Sequence, residues 1–195
     1  MRQAVLVIDV QQGLCEGEGA VFDSAGVIAR INTVTRRARA AGVAVIVIQH
    51  ESGPGYLEHG TAAWQSAHGL EVQPGDHRVR KTTPDAFLRT SLAPLLQELG
   101  VQELVVCGMH TEFCVDTTTR QALARGYPVV LIADGHTSAG NPALDAAQVI
   151  AHHNHTLANI ESFGPRVRPV SAADYRPDAG STISSGRPSG SAKKV

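Results

Sequence analysis

The feature that most restricts what this chain can fold into is an alternation. Six short apolar segments, residues 4–8, 43–48, 77–80, 103–107, 128–133 and 167–170, are separated along most of the chain by stretches with helical periodicity. Four of the six are continuous apolar runs; 77–80 and 167–170 are shorter and weaker. A strand with one face in water alternates apolar and polar residues, whereas a strand covered on both faces does not need to. The pattern therefore predicts an α/β fold with a parallel sheet between two layers of helices.

The intervening segments support this. Asp23 and Ser24 offer a cap for a helix reaching Ala41, with Val27, Ile28, Ile31 and Val34 on one face and Gly42 to end it. Thr90 or Ser91 can cap a second helix to Leu99, with Leu92, Leu95, Leu96 and Leu99 inward and Pro94 in its first turn, where proline is tolerated. Residues 114–125 and 142–159 read as two more. The segment 52–76, rich in glycine and proline, breaks the rhythm as a long irregular excursion, and such loops are often functional. Beyond Tyr175 the composition shifts to Gly, Ser and Pro, which predicts a domain over 1–176 and a loosely packed tail over 177–195.

At 195 residues the chain suits one domain, long enough to bury about 70% of its unfolded surface without staples. Seventeen Lys and Arg against 18 Asp and Glu argue against nucleic acid or an anionic membrane as partner. No apolar run approaches the ~18 residues of a membrane span. The first run, ended by Asp9, is too short for the core of a secretory leader, so a cytoplasmic location is expected. The three cysteines show no Cys-x-x-Cys spacing, which argues against a disulfide framework.

In an open parallel sheet, ligands bind beyond the carboxyl ends of the strands where strand order reverses. The polar residues at those ends are Asp9 and Gln11, His50 and Glu51, Lys81, the stretch 108–114, and 134–136. Taken singly, each has a plain alternative: Asp9 a cap, Lys81 a surface amine, Cys114 a buried structural thiol. Cys114 stands out because the strand is released at Gly108 and a helix follows. Free N–H groups at a helix start lower a thiol pKa and bind anions. Cys107, at a strand end, fits a structural role, and Cys15 an incidental one.

Three segments taken together resemble a known family. Asp9-Val10-Gln11, Lys81-Thr82-Thr83-Pro84-Asp85-Ala86-Phe87 and Gly108-Met109-His110-Thr111-Glu112-Phe113-Cys114-Val115-Asp116-Thr117-Thr118 look like the three signatures of the isochorismatase-like cysteine hydrolases. The resemblance runs from about residue 4 to residue 171. It implies a three-layer α/β/α sandwich on a six-stranded parallel sheet of order 3-2-1-4-5-6. It also implies a catalytic set of Asp9, Lys81 and Cys114, an oxyanion hole from the His110 and Cys114 N–H groups, and a cis bond before His110. Cys114 would attack the carbonyl of an amide, lactam or related C–N bond of a small molecule, Asp9 would carry the proton, and Lys81 would favour the thiolate by charge. Gln11, His50, Phe87 and Phe113 are the candidate substrate contacts, a core role being the alternative for either phenylalanine.

Within the family, the segments around Gln49-His50-Glu51 and 108–114 look most like the branch that includes streptothricin hydrolases, which makes a streptothricin lactam a candidate substrate. Metal-dependent nicotinamidases of the family carry an Asp-x-His pair after strand 2; here His50 and Ser52 stand at those positions, with His59 and His68 downstream. No metal or other cofactor is therefore expected, although these side chains, with Glu51, could meet if the loop folded back. The run His152-His153-Asn154-His155 lies on a predicted helix, where successive residues face apart, so at most one, or Asn154, would point inward. The alternatives to a cysteine amidohydrolase are a metal-assisted nicotinamidase and a catalytically silent oligomeric scaffold. The resemblance implies a homodimer or higher homo-oligomer, and Tyr56, Leu57, Trp64 and Leu70 in the 52–76 loop suggest apolar surface for it.

Overall fold

The structure, a computed structural model, describes residues 1–178; all but the first two positions of the expected tail lie outside the described residues. Six strands, β1 (Gln3–Ile8), β2 (Ala44–His50), β3 (His77–Lys81), β4 (Glu103–Met109), β5 (Val129–Thr137) and β6 (Val167–Val170), form one sheet. Its order is β3-β2-β1-β4-β5-β6 and every pairing is parallel, as expected.

Both faces of the central strands are covered, which is why their sequences are continuous. Val5, Val7, Val45, Val105, Cys107, Val130 and Ile132 pack on one side with Val27, Ile28, Ile31, Val34 and Ala38 of helix α2 (Ser24–Ala40). Ala4, Leu6, Ile8, Ile46, Ile48, Leu104, Val106 and Leu131 pack on the other. There they meet Leu92 and Leu96 of α3 (Leu92–Glu98), Ala122 and Leu123 of α4 (Asp116–Ala124) and Leu157 of α5 (Ala146–Ala158). Successive residues of one strand thus feed two separate cores. Among the described residues no helix is long and apolar enough to cross a membrane.

The differences from expectation have local causes. A short helix, α1 (Gln12–Cys15), follows β1 where no periodicity signalled one. Asp23 does not cap α2 through its side chain; it sits at φ 48° and pairs with Arg30 at 2.6 Å instead. Of the two candidate caps of α3, Thr90 is the one that receives the Leu92 N–H, at 3.2 Å. Helix α5 starts at Ala146 because Asp145 and Gln148 form a reciprocal capping box there. The helix expected from Cys114 begins earlier, as a π-helical turn over Thr111–Val115 that runs into α4.

The 52–76 segment is irregular, as expected, but firmly attached. The amides of Gln12 and Gly13 donate to the carbonyls of Gln65 and Ala63, and Ala67 donates to Val10, each at 2.9 Å. Its apolar residues mostly turn inward: Leu57 is 3% exposed and Leu70 packs against the core, leaving Tyr56 exposed. The loop therefore does not present the apolar surface expected of it.

Candidate active site

The reversal point of the sheet lies between β1 and β4, and the approach of these strands dictates Gly108. Gly108 is paired with Ile8 in register, has φ +122°, and a Cβ there would lie 2.0 Å from the Ile8 carbonyl oxygen. Only glycine satisfies both conditions. Asp9, the residue after β1, adopts φ 53°, unusual for a non-glycine residue, and is 1% exposed. The peptide bond before His110 is cis, as the resemblance implied.

Lys81, at the end of β3, is paired in register with His50, the last residue of β2, and its side chain is fully buried. Its Nζ lies 2.7 Å from Asp9 Oδ2, 3.2 Å from Cys114 Sγ, 3.2 Å from His50 Nδ1 and 3.2 Å from the Thr83 carbonyl oxygen. Four neighbours compete for three ammonium hydrogens, so the cation is shared rather than dedicated. The structure thus brings Asp9, Lys81, Cys114 and His50 together from three strand ends and one helical turn.

Burial dominates the thiol. Burial and, after it, Asp9 raise the Cys114 pKa while Lys81 lowers it, and the net result is a pKa pushed up to about 12. The lowered thiol pKa expected from the helix start is not what the folded site produces: at neutral pH the resting group is a thiol beside a carboxylate–ammonium pair. Asp9 Oδ1 is buried without a hydrogen-bond partner, so an acceptor for the thiol proton is already in place. Burial and the neighbouring Lys81 lower the pKa of His50, and burial lowers that of His110, so both imidazoles are neutral at pH 7. Cys15 and Cys107 are also pushed up to about 12 by burial, but Cys15 Sγ faces Met109 Sδ and Cys107 Sγ faces the Leu6 carbonyl.

These groups open onto a cavity of about 220 Å³ lined by Asp9, His50, His110 and Cys114, with Leu14, Leu57, Tyr56 and Phe113 as its apolar part and Ser52 at one edge. Phe113 is a wall of this cavity, as expected. Phe87 is not: it is buried in the core, stacked on Tyr127 with the Arg125 guanidinium over its ring. Gln11 does not face the cavity either. Its Oε1 accepts the His50 N–H and its Nε2 donates to the His50 and Trp64 carbonyls, each at 2.9 Å. It clamps the backbone that carries the His50 ring. Leu14, Tyr56 and Leu57 were not among the expected contacts; the apolar residues noted in the 52–76 loop were the available signal for the last two.

The His110 amide donates to no group among the described residues, and His110 Nε2 is buried without a partner. The turn bearing Cys114 is braced from behind by a buried chain. Thr111 Oγ1 meets His136 Nδ1 at 2.8 Å, His136 Nε2 meets Asn154 Oδ1 at 3.0 Å, and Asn154 Nδ2 donates to the Ala133 carbonyl at 2.9 Å. Asn154 is the inward residue of the histidine-rich helix.

The suggested metal ligands do not converge. His59 packs against Trp64, His68 pairs with Glu16, Glu51 pairs with Arg80, and Ser52 Oγ accepts the Leu57 N–H. Among the described residues, Asp9, His50 and Cys114 alone have donor atoms close enough to share an ion, within 4.8 Å of one another. The Lys81 ammonium already contacts all three.

The Isochorismatase domain family matches residues 3–162. A streptothricin hydrolase of Streptomyces noursei is 42% identical over 143 residues, covering 72% of this chain and 51% of the relative, so the chain spans about half the length of that protein. The ureidoacrylate amidohydrolase RutB of Methylobacterium radiotolerans is 30% identical over 205 residues, covering 86% of this chain and 76% of the relative. Among solved structures, a cysteine hydrolase from Pseudomonas syringae pv. phaseolicola superposes with a TM-score of 0.79 at 28% identity, covering 88% of this chain and 89% of the other.

Proposed function

The chain belongs to the isochorismatase family, and on that premise we propose that it is a cysteine amidohydrolase that cleaves an amide, lactam or related C–N bond of a small molecule through an acyl-enzyme on Cys114. One observation carries this reading: a buried Lys81 ammonium sits 2.7 Å from Asp9 and 3.2 Å from the Cys114 sulfur, and both of those residues line a cavity.

With the resting thiol protonated, attack requires the proton to leave as the C–S bond forms. Cys114 Sγ adds to the carbonyl carbon while Asp9 takes the thiol proton. Lys81 stabilises the negative charge as it passes from carboxylate to sulfur. The carbonyl oxygen becomes an oxyanion held by the His110 and Cys114 N–H groups, and each such donor is worth about 3–4 kcal/mol in comparable enzymes. As the C–N bond breaks, Asp9 returns the proton to the leaving nitrogen, producing an amine and a thioester. Water then attacks the thioester, giving its proton to Asp9, and the acid departs as Cys114 is reprotonated. No step calls for a Lewis acid.

The similarity to streptothricin hydrolases supports a lactam as the substrate to test first, and the similarity to RutB supports a linear amide or ureide as the second. The test is a product-detected panel of a streptothricin, ureidoacrylate, nicotinamide and simple lactams, with rapid acid quench and intact-mass analysis. A substrate-derived adduct on Cys114 during turnover is expected. Turnover by Cys114→Ala at the parental rate would overturn the proposal.

A further inference from the structure

Beside the catalytic cavity, with a different lining but bordered by Lys81, lies a cleft of about 490 Å³ at the free edge of β3. Arg78 and Arg80, two apart on β3, line it together with Arg89, Thr82, Ser91 and Trp64. We propose that this cleft is a binding site for a small free molecule bearing a phosphate or carboxylate group.

The argument rests on which hydrogen-bonding groups are already engaged. The acceptors in the cleft are occupied: both Glu51 carboxylate oxygens take the Arg80 guanidinium, at 2.8 and 3.1 Å, and Gln49 Oε1 takes Arg78 at 3.3 Å. The donors are in surplus. The Arg89 guanidinium has no hydrogen-bond or ion-pair partner among the described residues. Arg78 makes only that one long contact, and Trp64 Nε1 is a buried donor with no acceptor. Thr82 and Ser91 add hydroxyls at the rim. With Arg80 paired to Glu51 and Lys81, which also borders the cleft, paired to Asp9, the charges of Arg78 and Arg89 remain. A site with spare planar donors and no spare charged acceptor suits an oxyanion, which offers several acceptor oxygens at once and can also take the hydroxyl hydrogens. Arg89, which lines the cleft, is also held at φ +56°, a conformation that costs a non-glycine residue energy. Charges on an edge strand also deter strand pairing, but that role needs neither a cleft nor an unpartnered indole N–H.

Trp64 is the chain's one tryptophan, so its fluorescence reports on this cleft directly. The full-length protein is titrated with inorganic phosphate, and separately with succinate, at constant ionic strength against a sodium chloride control. A saturable change in Trp64 emission with at least one of the two is expected, and whichever saturates identifies the group recognised. Arg78→Gln and Arg89→Gln, both exposed positions, are each expected to weaken that binding about ten-fold with an unchanged circular dichroism spectrum. Should one of them fail to fold, the other decides. Cys114→Ser is expected to bind as the parent does. A linear response matched by chloride, parental affinity in a folded arginine variant, or loss of binding in Cys114→Ser would each overturn the proposal.

Discussion

His136 should make this fold acid-labile by an amount that follows from its surroundings. The imidazole is 1% exposed and lies between Thr111 and Asn154. Asn154 spends its amide N–H on the Ala133 carbonyl, so its Oδ1 faces His136 as an acceptor and the Nε2 of His136 carries the proton. His136 Nδ1 then accepts from the Thr111 hydroxyl. A second proton would have to enter at Nδ1 in a buried site, and burial lowers the pKa from 6.5 to about 4. The folded state therefore binds fewer protons than the unfolded chain between those values. Its stability is whole above about pH 6.5 and is lost as pH falls towards 4. At 1.36 kcal/mol per pH unit the loss amounts to about 3 kcal/mol. His136→Gln keeps a donor for Asn154 without a titrating group. Urea unfolding at fixed protein concentration from pH 7 to pH 4 should show parent and variant converging, the parent losing about 3 kcal/mol more over that range. Parallel pH profiles would refute the reasoning, because they would mean that protonation of His136 costs the fold nothing.

Other outcomes are expected from the same geometry. Cys114→Ala should lower turnover by about 10³-fold or more, while Cys15→Ala and Cys107→Ala keep most of it; steady-state kinetics on the identified substrate decides. Lys81→Met should slow iodoacetamide labelling of Cys114 at neutral pH, since Lys81 lowers the thiol pKa, and should cost about 3–5 kcal/mol by leaving Asp9 without its buried partner; unchanged labelling would remove Lys81 from the site. Dialysis against a strong chelator, with elemental analysis confirming removal of zinc, iron and manganese, should leave activity intact; activity lost and restored by one metal would favour the nicotinamidase mechanism. On the family resemblance alone, since the 52–76 loop turns most of its apolar residues inward, sedimentation equilibrium at micromolar concentration should give at least a dimer mass, and a monomer mass would end that expectation.

Much of the architecture was legible because burial on two faces leaves a mark on composition. Continuous runs such as 4–8 and 103–107 exclude a one-faced sheet, and glycines at 42, 100 and 126 punctuate the helices between them. The set of Asp9, Lys81 and Cys114 was legible through the resemblance to a known family, and Asn154 was one of the residues of its run left open as the inward one. What the sequence could not express were properties that arise only when distant segments meet. The protonation of Cys114 is one: its place near a helix start suggested a lowered pKa, but desolvation by the assembled site, with Asp9, outweighs Lys81 and raises it. The role of Gln11 is another, since its clamp on His50 exists only because β1 and β2 end side by side. Phe87 follows its own motif into the core because Tyr127 and Arg125, some forty residues away, close over it. The surplus of donors at the β3 edge is likewise a matter of position: the arginines are visible in the sequence, but only packing decides that Glu51 satisfies Arg80 and leaves Arg89 without a partner. Periodicity is a local property and can be read along the chain; desolvation and partner choice depend on the whole set of neighbours, and that set is fixed only in three dimensions.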